Sequence, residues 1–488
     1  MHSPTPHQRR STKMRLGVGL LALAATATAQ RVVPISIAKA PLPGPGPHGL
    51  GRRAAYSSTL INQKNAYFTE VKIGTPPQTA TLHVDTGSSD LWVLWENSDL
   101  CNSVALQEEW GTCVDTFSAA GSSTYETVGA DAFQIAYVDE TGARGDYFSD
   151  VVSIGDMTLK GLQMGIAVNS TCNWGMLGIG YNASVAAAEI YPNIIDLMVD
   201  QGKIATKAYS MYLNEYTAET GTILFGGVDT EKFYGELKSV PTIANKKTGA
   251  HDHFTVALTS LTAVSPSAQN STALSTSPTP LEVILDSGTS MTYLPPSVTR
   301  PLYRMLNAID DTSGSGSGQI LVDCAQRTNT DLHLAFQFNG PSGPVVNVSA
   351  AEFILDDLRP YIAQGSLALP RNLPWKKDNT CRVGVLPAEH EPPYLVGDTF
   401  LRSAYVVYDL DNHAIGLAQS ALGAAGSKIV EIKKGQGVPK VSGVAPPPPR
   451  ATPAKQNAGV GRVREGLGAE AVGVAAAAAL LGMGLLGW

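Results

Sequence analysis

Two short signatures stand 201 residues apart in a chain of 488: Asp85-Thr86-Gly87 and Asp286-Ser287-Gly288. Each closes a β-prone run, Thr81-Leu82-His83-Val84 before the first and Leu281-Glu282-Val283-Ile284-Leu285 before the second. A repeat in matching context, spaced by about one domain length, points to two lobes that each bring one carboxylate to a shared cleft. Facing carboxyls cannot both ionise cheaply, so one keeps a proton and the pair titrates in two separated steps. In that state the charged carboxylate takes a proton from a water held between them, and the protonated one hydrogen-bonds the carbonyl under attack. A tetrahedral gem-diol forms, and a peptide bond is hydrolysed without a Ser or Cys nucleophile. Gly87 and Gly288 let the backbone approach the carboxylates closely. Thr86 and Ser287 are placed to hydrogen-bond across the axis relating the loops, and Ser88 and Thr289 to bond the outer carboxylate oxygens. The chemistry needs no cofactor. No CxxC or Cys/His cluster suggests a metal, and His251 and His253 read as loop residues.

The elements that must position these carboxylates read as strands. Residues 54 to about 425 alternate short apolar runs with Gly, Asn, Asp and Ser turns. Tyr67-Phe68-Thr69-Glu70-Val71-Lys72-Ile73 before Gly74, and Tyr405-Val406-Val407-Tyr408 before Asp409, are examples. Helical periodicity is scarce, with Val185 to Gln201 and Pro296 to Ala308 as the candidates. The pattern predicts an all-β chain in two halves, an N-terminal lobe over 54–234 and a C-terminal lobe over 235–425, joined near Gly226 to Tyr234. Two low-complexity insertions, Thr259 to Pro280 and Thr312 to Gly318, read as surface loops.

The flanks give the compartment. Arg9, Arg10, Lys13 and Arg15, the apolar run Leu16 to Ala25, and Ala27-Thr28-Ala29 before Gln30 form a secretory signal over 1–29, with Met14 an alternative start. A propeptide over 30–53 is rich in Pro and Gly from Pro41 to Gly51 and ends in Arg52-Arg53, a dibasic pair suited to processing. The first 53 residues hold eight Lys or Arg and no Asp or Glu; without them and the tail after Asn457, 25 basic residues face 40 acidic, a net of about −15. A cationic pro-segment would dock on such an anionic body, with Lys39 a candidate partner of the carboxylates. The acidity argues against nucleic-acid binding. Five cysteines suit an oxidising route: Cys101 and Cys113 flank a polar loop, Cys324 and Cys381 could close a longer one, and Cys172 is odd, buried and free or paired elsewhere. Asn169, Asn182, Asn270 and Asn347 match N-x-[ST] and are glycan acceptors if exposed.

Beyond Ala425 the composition turns to Lys, Gly and Pro, including Pro446 to Pro449, and reads as a flexible stalk over 426–457. Asn457-Ala458-Gly459, the polar spacer Val460 to Glu470 and the apolar end Ala471 to Trp488 match a glycolipid-anchor signal, with Asn457 as the attachment residue and 458–488 removed. A retained transmembrane helix is the competing reading, weakened by the high Ala and Gly content and by the lack of following Lys or Arg.

Over roughly residues 60 to 422 the chain resembles the pepsin-like aspartic proteases. The resemblance rests on Phe68 to Gln78, which is similar to that family's opening strand and turn, on Asp85 to Val93 and Asp286 to Ser290 for its two catalytic loops, and on Met176-Leu177-Gly178 and Leu395-Val396-Gly397-Asp398 for the apolar-apolar-Gly element after each loop. It implies a bilobal fold with a pseudo-two-fold axis, peptide or protein substrates, and cysteine pairs where many members place theirs. It also implies a flap hairpin over the cleft, with Tyr137 as the flap residue and Trp92 as its hydrogen-bond partner. A Gly usually follows that Tyr; here Val138-Asp139-Glu140-Thr141-Gly142 follows, and Gly142 is the residue left to supply a positive φ.

Signal, dibasic pair, Ser/Thr-rich loop, stalk and anchor together are most similar to the surface-anchored fungal yapsin-type subgroup. That likeness implies a monomer of the secretory pathway held at the plasma membrane or cell wall. Several yapsins cleave at Lys or Arg. Glu96, Asp99, Glu108, Glu109 and Asp115 around the first cysteine pair, with Asp139 and Glu140 near the flap tip, would attract such side chains; as solvated loop charges they would leave a cleft that prefers large apolar residues. A catalytically silent, glycosylated wall-binding protein on the same fold is the alternative function.

Overall fold

The structure is a computed structural model that describes residues 31–39, 66–265, 270–275, 279–313 and 316–446. The secretory signal, Arg52-Arg53, Asn457 and the apolar tail lie outside the described residues. Among the described residues no helix is long and apolar enough to cross a membrane.

The body is built twice from the same arrangement of strands. In the first half, Gln78–Asp85 runs parallel to Gly175–Gly178, Leu91–Leu94 lies antiparallel to Gly175–Gly178, and Leu91–Leu94 runs parallel to Met157–Ser170. In the second half, Leu281–Leu285 runs parallel to Tyr394–Val396, Thr292–Leu294 lies antiparallel to it, and Thr292–Leu294 runs parallel to Val385–Pro387. Each Asp sits at the end of the strand that leads its half, where the chain turns out of the sheet. Strand chemistry explains the local order. Along Tyr67–Ile73, Val71 and Ile73 are buried while Glu70 and Lys72 face out, the period of two that fixes register. Val84, Leu177, Leu285 and Val396 all enter one hydrophobic core, which therefore runs beneath both halves.

A thirteen-stranded sheet joins the halves, ending at Phe233–Pro241 on one side and Glu126–Ala136 on the other. Next to its middle strand, Tyr67–Ile73, lies Val33–Lys39, paired along six positions with Thr220–Phe225 and at its end with Tyr67–Ile73. Ile35 and Ile37 of that strand are buried in the common core. The segment read as a detachable propeptide thus contributes a central strand of the body, because Val33-Pro34-Ile35-Ser36-Ile37 carries the same alternation as its neighbours. The lobe boundary at 234 falls inside Phe233–Pro241, which pairs with Ala414–Ser420.

Three further expectations change. The stalk reading fails up to about residue 444. Ile429–Glu431 pairs with Gly227–Asp229, Ile432 is fully buried, and single bridges join Tyr234 to Val444 and Glu236 to Ser442. Its few apolar residues, with Val438 and Val441 packed against the same cluster, suffice to dock a Lys- and Gly-rich stretch. Of Val185 to Gln201 only Ile194–Asp200 is helical, because Asn193 caps it, accepting from Ile195 and Asp196 while Asp196 accepts in return from the Asn193 N–H. Some of the Ser/Thr-rich insertion is ordered too, since Thr255–Ser265 pairs with Asn270–Ala273. The second helix, Pro296–Leu306, stops at Asn307 with φ 51°.

If the docked segment belongs to the folded body, I432A should cost about 2–4 kcal/mol of unfolding free energy, as expected for emptying a buried Ile site. Chemical denaturation of the two proteins would read it, and an unchanged midpoint would return the segment to the stalk.

Candidate active site

The loops that follow the two lead strands face each other across the sheet. Ser287 N–H donates to Thr86 Oγ1 at 2.9 Å, and Thr86 N–H donates to Ser287 Oγ at 3.2 Å. Each hydroxyl then donates onward, Thr86 Oγ1 to the Leu285 carbonyl at 3.0 Å and Ser287 Oγ to the Val84 carbonyl at 2.9 Å. Every donor in this exchange comes from one half and its acceptor from the other. Within each loop the carboxylate is held the same way. Gly87 N–H donates to Asp85 Oδ1 at 2.7 Å and Gly288 N–H to Asp286 Oδ1 at 2.8 Å. Ser88 Oγ donates to Asp85 Oδ2 and Thr289 Oγ1 to Asp286 Oδ2 at 2.6 Å.

The two carboxyls face each other at close range. Their closeness explains the glycines: a Cβ on Gly87 would lie 2.6 Å from Asp286 Oδ1, and one on Gly288 would collide with Asp85 Oδ1. Asp85 is 4% exposed and Asp286 7%. Burial first, and the Asp286 charge second, push the Asp85 carboxyl well above the usual range. The pair therefore keeps one proton across the acid range.

A hairpin of Glu126–Ala136 and Gly142–Ile154 carries Tyr137 at its tip. Trp92 Nε1–H donates to Tyr137 Oη at 2.8 Å. The tip closes through Tyr137 N–H to the Thr141 carbonyl at 2.8 Å, and Asp139 Oδ1 accepts from both the N–H and the hydroxyl of Thr141. The left-handed residue is Glu140, φ 67°, and not Gly142. Asp139 stabilises that turn locally, while Gly142 is needed because a Cβ there would strike the Ile135 carbonyl.

The remaining predicted residues divide. Cys101–Cys113 and Cys324–Cys381 are disulfides, and Cys172 is buried and free. Its thiol, pushed up to about 12 by burial, lies against Thr141 and Gly142 of the hairpin. Lys39 does not reach the dyad: its ammonium donates to the Tyr216 carbonyl at 2.6 Å and sits 3.9 Å above the Tyr216 ring. Among the acidic residues, Asp99 accepts from Leu100, Ser170 and Asn169, Asp115 from the Thr81 N–H, and Glu96 from Ser118 Oγ. Glu108, Asp139 and Glu140 are exposed. Asn169 and Asn182 spend their amide N–H on Asp99 and Asp196, Asn347 is exposed, and the Asn270 side chain is outside the described residues. Among the described residues no His/Cys/Asp/Glu group could hold a metal ion.

Two buried features carry no obvious sequence signal. Asp90, fully buried, accepts from Tyr147 Oη at 2.9 Å, Tyr191 Oη at 2.6 Å and Ala186 N–H at 2.7 Å. A carboxylate inside the run Ser89-Asp90-Leu91-Trp92 is the one available hint. Asp398 is fully buried beside Asp286, and Arg402 pairs with Glu352 at 2.6 Å, partners 50 residues apart that no local pattern links.

A family model described as eukaryotic aspartyl protease matches residues 66–420. The chain belongs to that family. Among relatives, the probable aspartic-type endopeptidase OPSB of Arthroderma benhamiae is 38% identical over 395 residues, covering 80% of this chain and 75% of that one. Aspartic proteinase yapsin-3 of Saccharomyces cerevisiae is 33% identical over 389 residues, 77% of this chain and 70% of the relative. The crystal structure of the aspartic proteinase from Irpex lacteus superposes with a TM-score of 0.58 at 19% identity, covering 81% of this chain and all of that one, and shows the shared fold. In this protease the bilobal, strand-rich architecture is thus the family's.

The raised Asp85 carboxyl sets a pH test. Folding favours its protonated form, so its contribution to stability is full below the ordinary carboxylate value and is lost as pH rises toward the raised one. D85N cannot ionise. It should lose essentially all turnover and melt a few degrees above wild type near pH 7, with the gap closing near pH 3. Retained activity, or a gap independent of pH, would remove the dyad assignment. Y137F should keep the fold but lower kcat/KM about tenfold through loss of the Trp92 bond, measured on one peptide at fixed pH.

Proposed function

We propose that the protease is a secreted, surface-anchored endopeptidase in which a water between Asp85 and Asp286 attacks the peptide carbonyl in acid. The observation that carries this reading is the pair of buried carboxyls facing each other at close range, held there by the Thr86/Ser287 exchange. The ionised member removes a proton from the water, and the protonated member hydrogen-bonds the carbonyl oxygen as the tetrahedral centre forms. The donors from Gly87, Ser88, Gly288 and Thr289 hold the carboxyls still during the transfer, so no reorganisation is needed. Tyr137 and Trp92 shape the space beneath the hairpin, where substrate would be enclosed. The carboxyl that took the water proton then gives it to the amide nitrogen as the C–N bond breaks and the carbonyl re-forms, so water, carboxyls and substrate account for every proton and no cofactor enters. As the pair loses its shared proton at higher pH, the general acid disappears and activity falls.

The finer reading is that of a glycosylated, glycolipid-anchored monomer, attached at Asn457 and processed at Arg52-Arg53. Its support is the composition of the flanks and the likeness to yapsin-3. Among the sequons whose side chains are described, exposed Asn347 is best placed for a glycan. Cleavage at Lys or Arg draws less support from the fold than from the sequence, because Asp99 and Asp115 are turned to backbone donors. The attraction would rest on carboxylates such as Glu108, Asp139 and Glu140.

A peptide-library digest by the secreted body ending near residue 446, in acid and near neutrality, with and without pepstatin, tests the reaction. Pepstatin-sensitive cleavage strongest in acid is expected. Cuts clustered at Lys or Arg would support the basic preference, and cuts between large apolar residues would remove it. A folded, processed sample that cleaves nothing would favour the silent binding protein. Phospholipase C should release the full-length protein from cells; a retained transmembrane helix would not be released.

A further inference from the structure

Alternation along Gln78–Asp85 sends Leu82 and Val84 into the main core and leaves His83 on the same face as Asp85. The cross-strand register extends that face. Phe68 stands opposite His83, His83 opposite Met176, and Met176 opposite Trp92, whose indole holds Tyr137 of the hairpin. Met176 and Tyr137 share one apolar cluster. A row of side chains therefore leads from Phe68 to the hairpin, one strand position-pair away from the candidate catalytic carboxyl. His83 is the one titratable member of this row.

His83 is 4% exposed, and its Nε2 has no hydrogen-bond partner. Trp174 packs edge-on to it with ring centroids 6.3 Å apart, and the Trp174 Nε1–H is likewise buried without a partner. Phe68 touches both rings, 5.2 Å from His83 and 6.1 Å from Trp174. A buried polar atom left unpaired carries its full desolvation cost, so two on adjacent rings beside a reaction centre call for a group that completes them. Burial lowers the imidazole to about 4, which leaves it neutral over most of the acid range. A neutral ring can accept at Nε2, and an indole N–H can only donate. The completing group must both donate and accept. Hydroxyl and carboxamide side chains do both; an alkyl chain does neither, and an ammonium only donates.

We propose that His83 and Trp174 form a specificity pair that selects a substrate residue ending in a hydroxyl or carboxamide at the position packed beneath the Tyr137 hairpin. The inference rests on the protease reading and deepens it. A site built to hydrogen-bond such an end discriminates against analogues that lack it by leaving its own polar atoms unpaired.

The test is a peptide series varied one position at a time, with Gln against Met, Ser against Ala, and Lys. It is cleaved by wild type, H83L and W174F, and each kcat/KM is measured. Wild type should show one position where Gln exceeds Met by about tenfold or more. W174F, which keeps an aromatic ring and loses the N–H, should reduce that ratio about tenfold while cleaving the Met peptide within about twofold of wild type. H83L should do the same, and W174F alone decides the matter if H83L does not fold. A ratio unchanged in W174F, or a wild type with no such position or with Lys preferred there, would overturn the pair. A folded wild type that cleaves none of the series removes the reaction itself, and with it any role in selection.

Discussion

Two carboxyl groups in contact and out of water repel unless a proton is shared and something holds them in place. In this protein that constraint is met by four hydrogen bonds in which Thr86 and Ser287 each donate to and accept from the opposite half. In a low-dielectric setting the interaction of two like charges at contact amounts to several kcal/mol, enough to drive apart lobes that met only through side chains. Here the bonds run to backbone groups at the ends of Gln78–Asp85 and Leu281–Leu285. The repulsion is therefore set against the sheets themselves, and a change at either loop is felt in both halves.

The surroundings serve the same end by spending charge inward. Asp90 gathers two phenols and a backbone N–H, and through Tyr147 it ties the descending strand of the hairpin to the loop that carries Asp85. Phe133 lies between Trp92 and Tyr147, tilted against the first and edge-to-face with the second, so the ring that orients Tyr137 rests on a packed aromatic cluster. Asp99 binds Ser170 and Asn169, next to Thr171, whose N–H donates to the Gly142 carbonyl just below the tip of the hairpin. The Cys101–Cys113 loop and the hairpin thus share one fixed support. Some of the carboxylates that looked like bait for cationic substrates are the mortar of this support.

What could be read from the sequence was whatever is local and repeated. The Asp-Ser/Thr-Gly pair, its supporting hydroxyls and the apolar-apolar-Gly elements each lie within a few residues of one another, and local spacing displays them. Tyr137 and Trp92 were legible by resemblance, whereas the turn residue at the hairpin tip was misplaced. Asp139 can make a left-handed Glu140 tolerable, and no rule based on glycine sees that. The partners of Asp90 lie 57 and 101 residues away, and Arg402 and Glu352 meet only through the fold. The stretch 426–444 failed for a related reason. Composition registers its Lys and Gly, but its docking depends on Ile432 and three strand residues finding Gly227–Asp229, far away in the sequence.

The strand Val33–Lys39 gives the molecule an unusual dependence. It sits between Thr220–Phe225 and Tyr67–Ile73 in the sheet that joins the halves, yet it is tied to the body through a stretch that includes Arg52-Arg53. Were that tie cut, the strand would become a ligand of its own enzyme. Its residence would follow mass action, with dilution favouring loss and concentration favouring return, where the intact chain holds it at a fixed effective concentration. Severance would turn a unimolecular folding problem into a bimolecular one, and the stability of the joint between the lobes would acquire a concentration dependence that the uncut chain lacks.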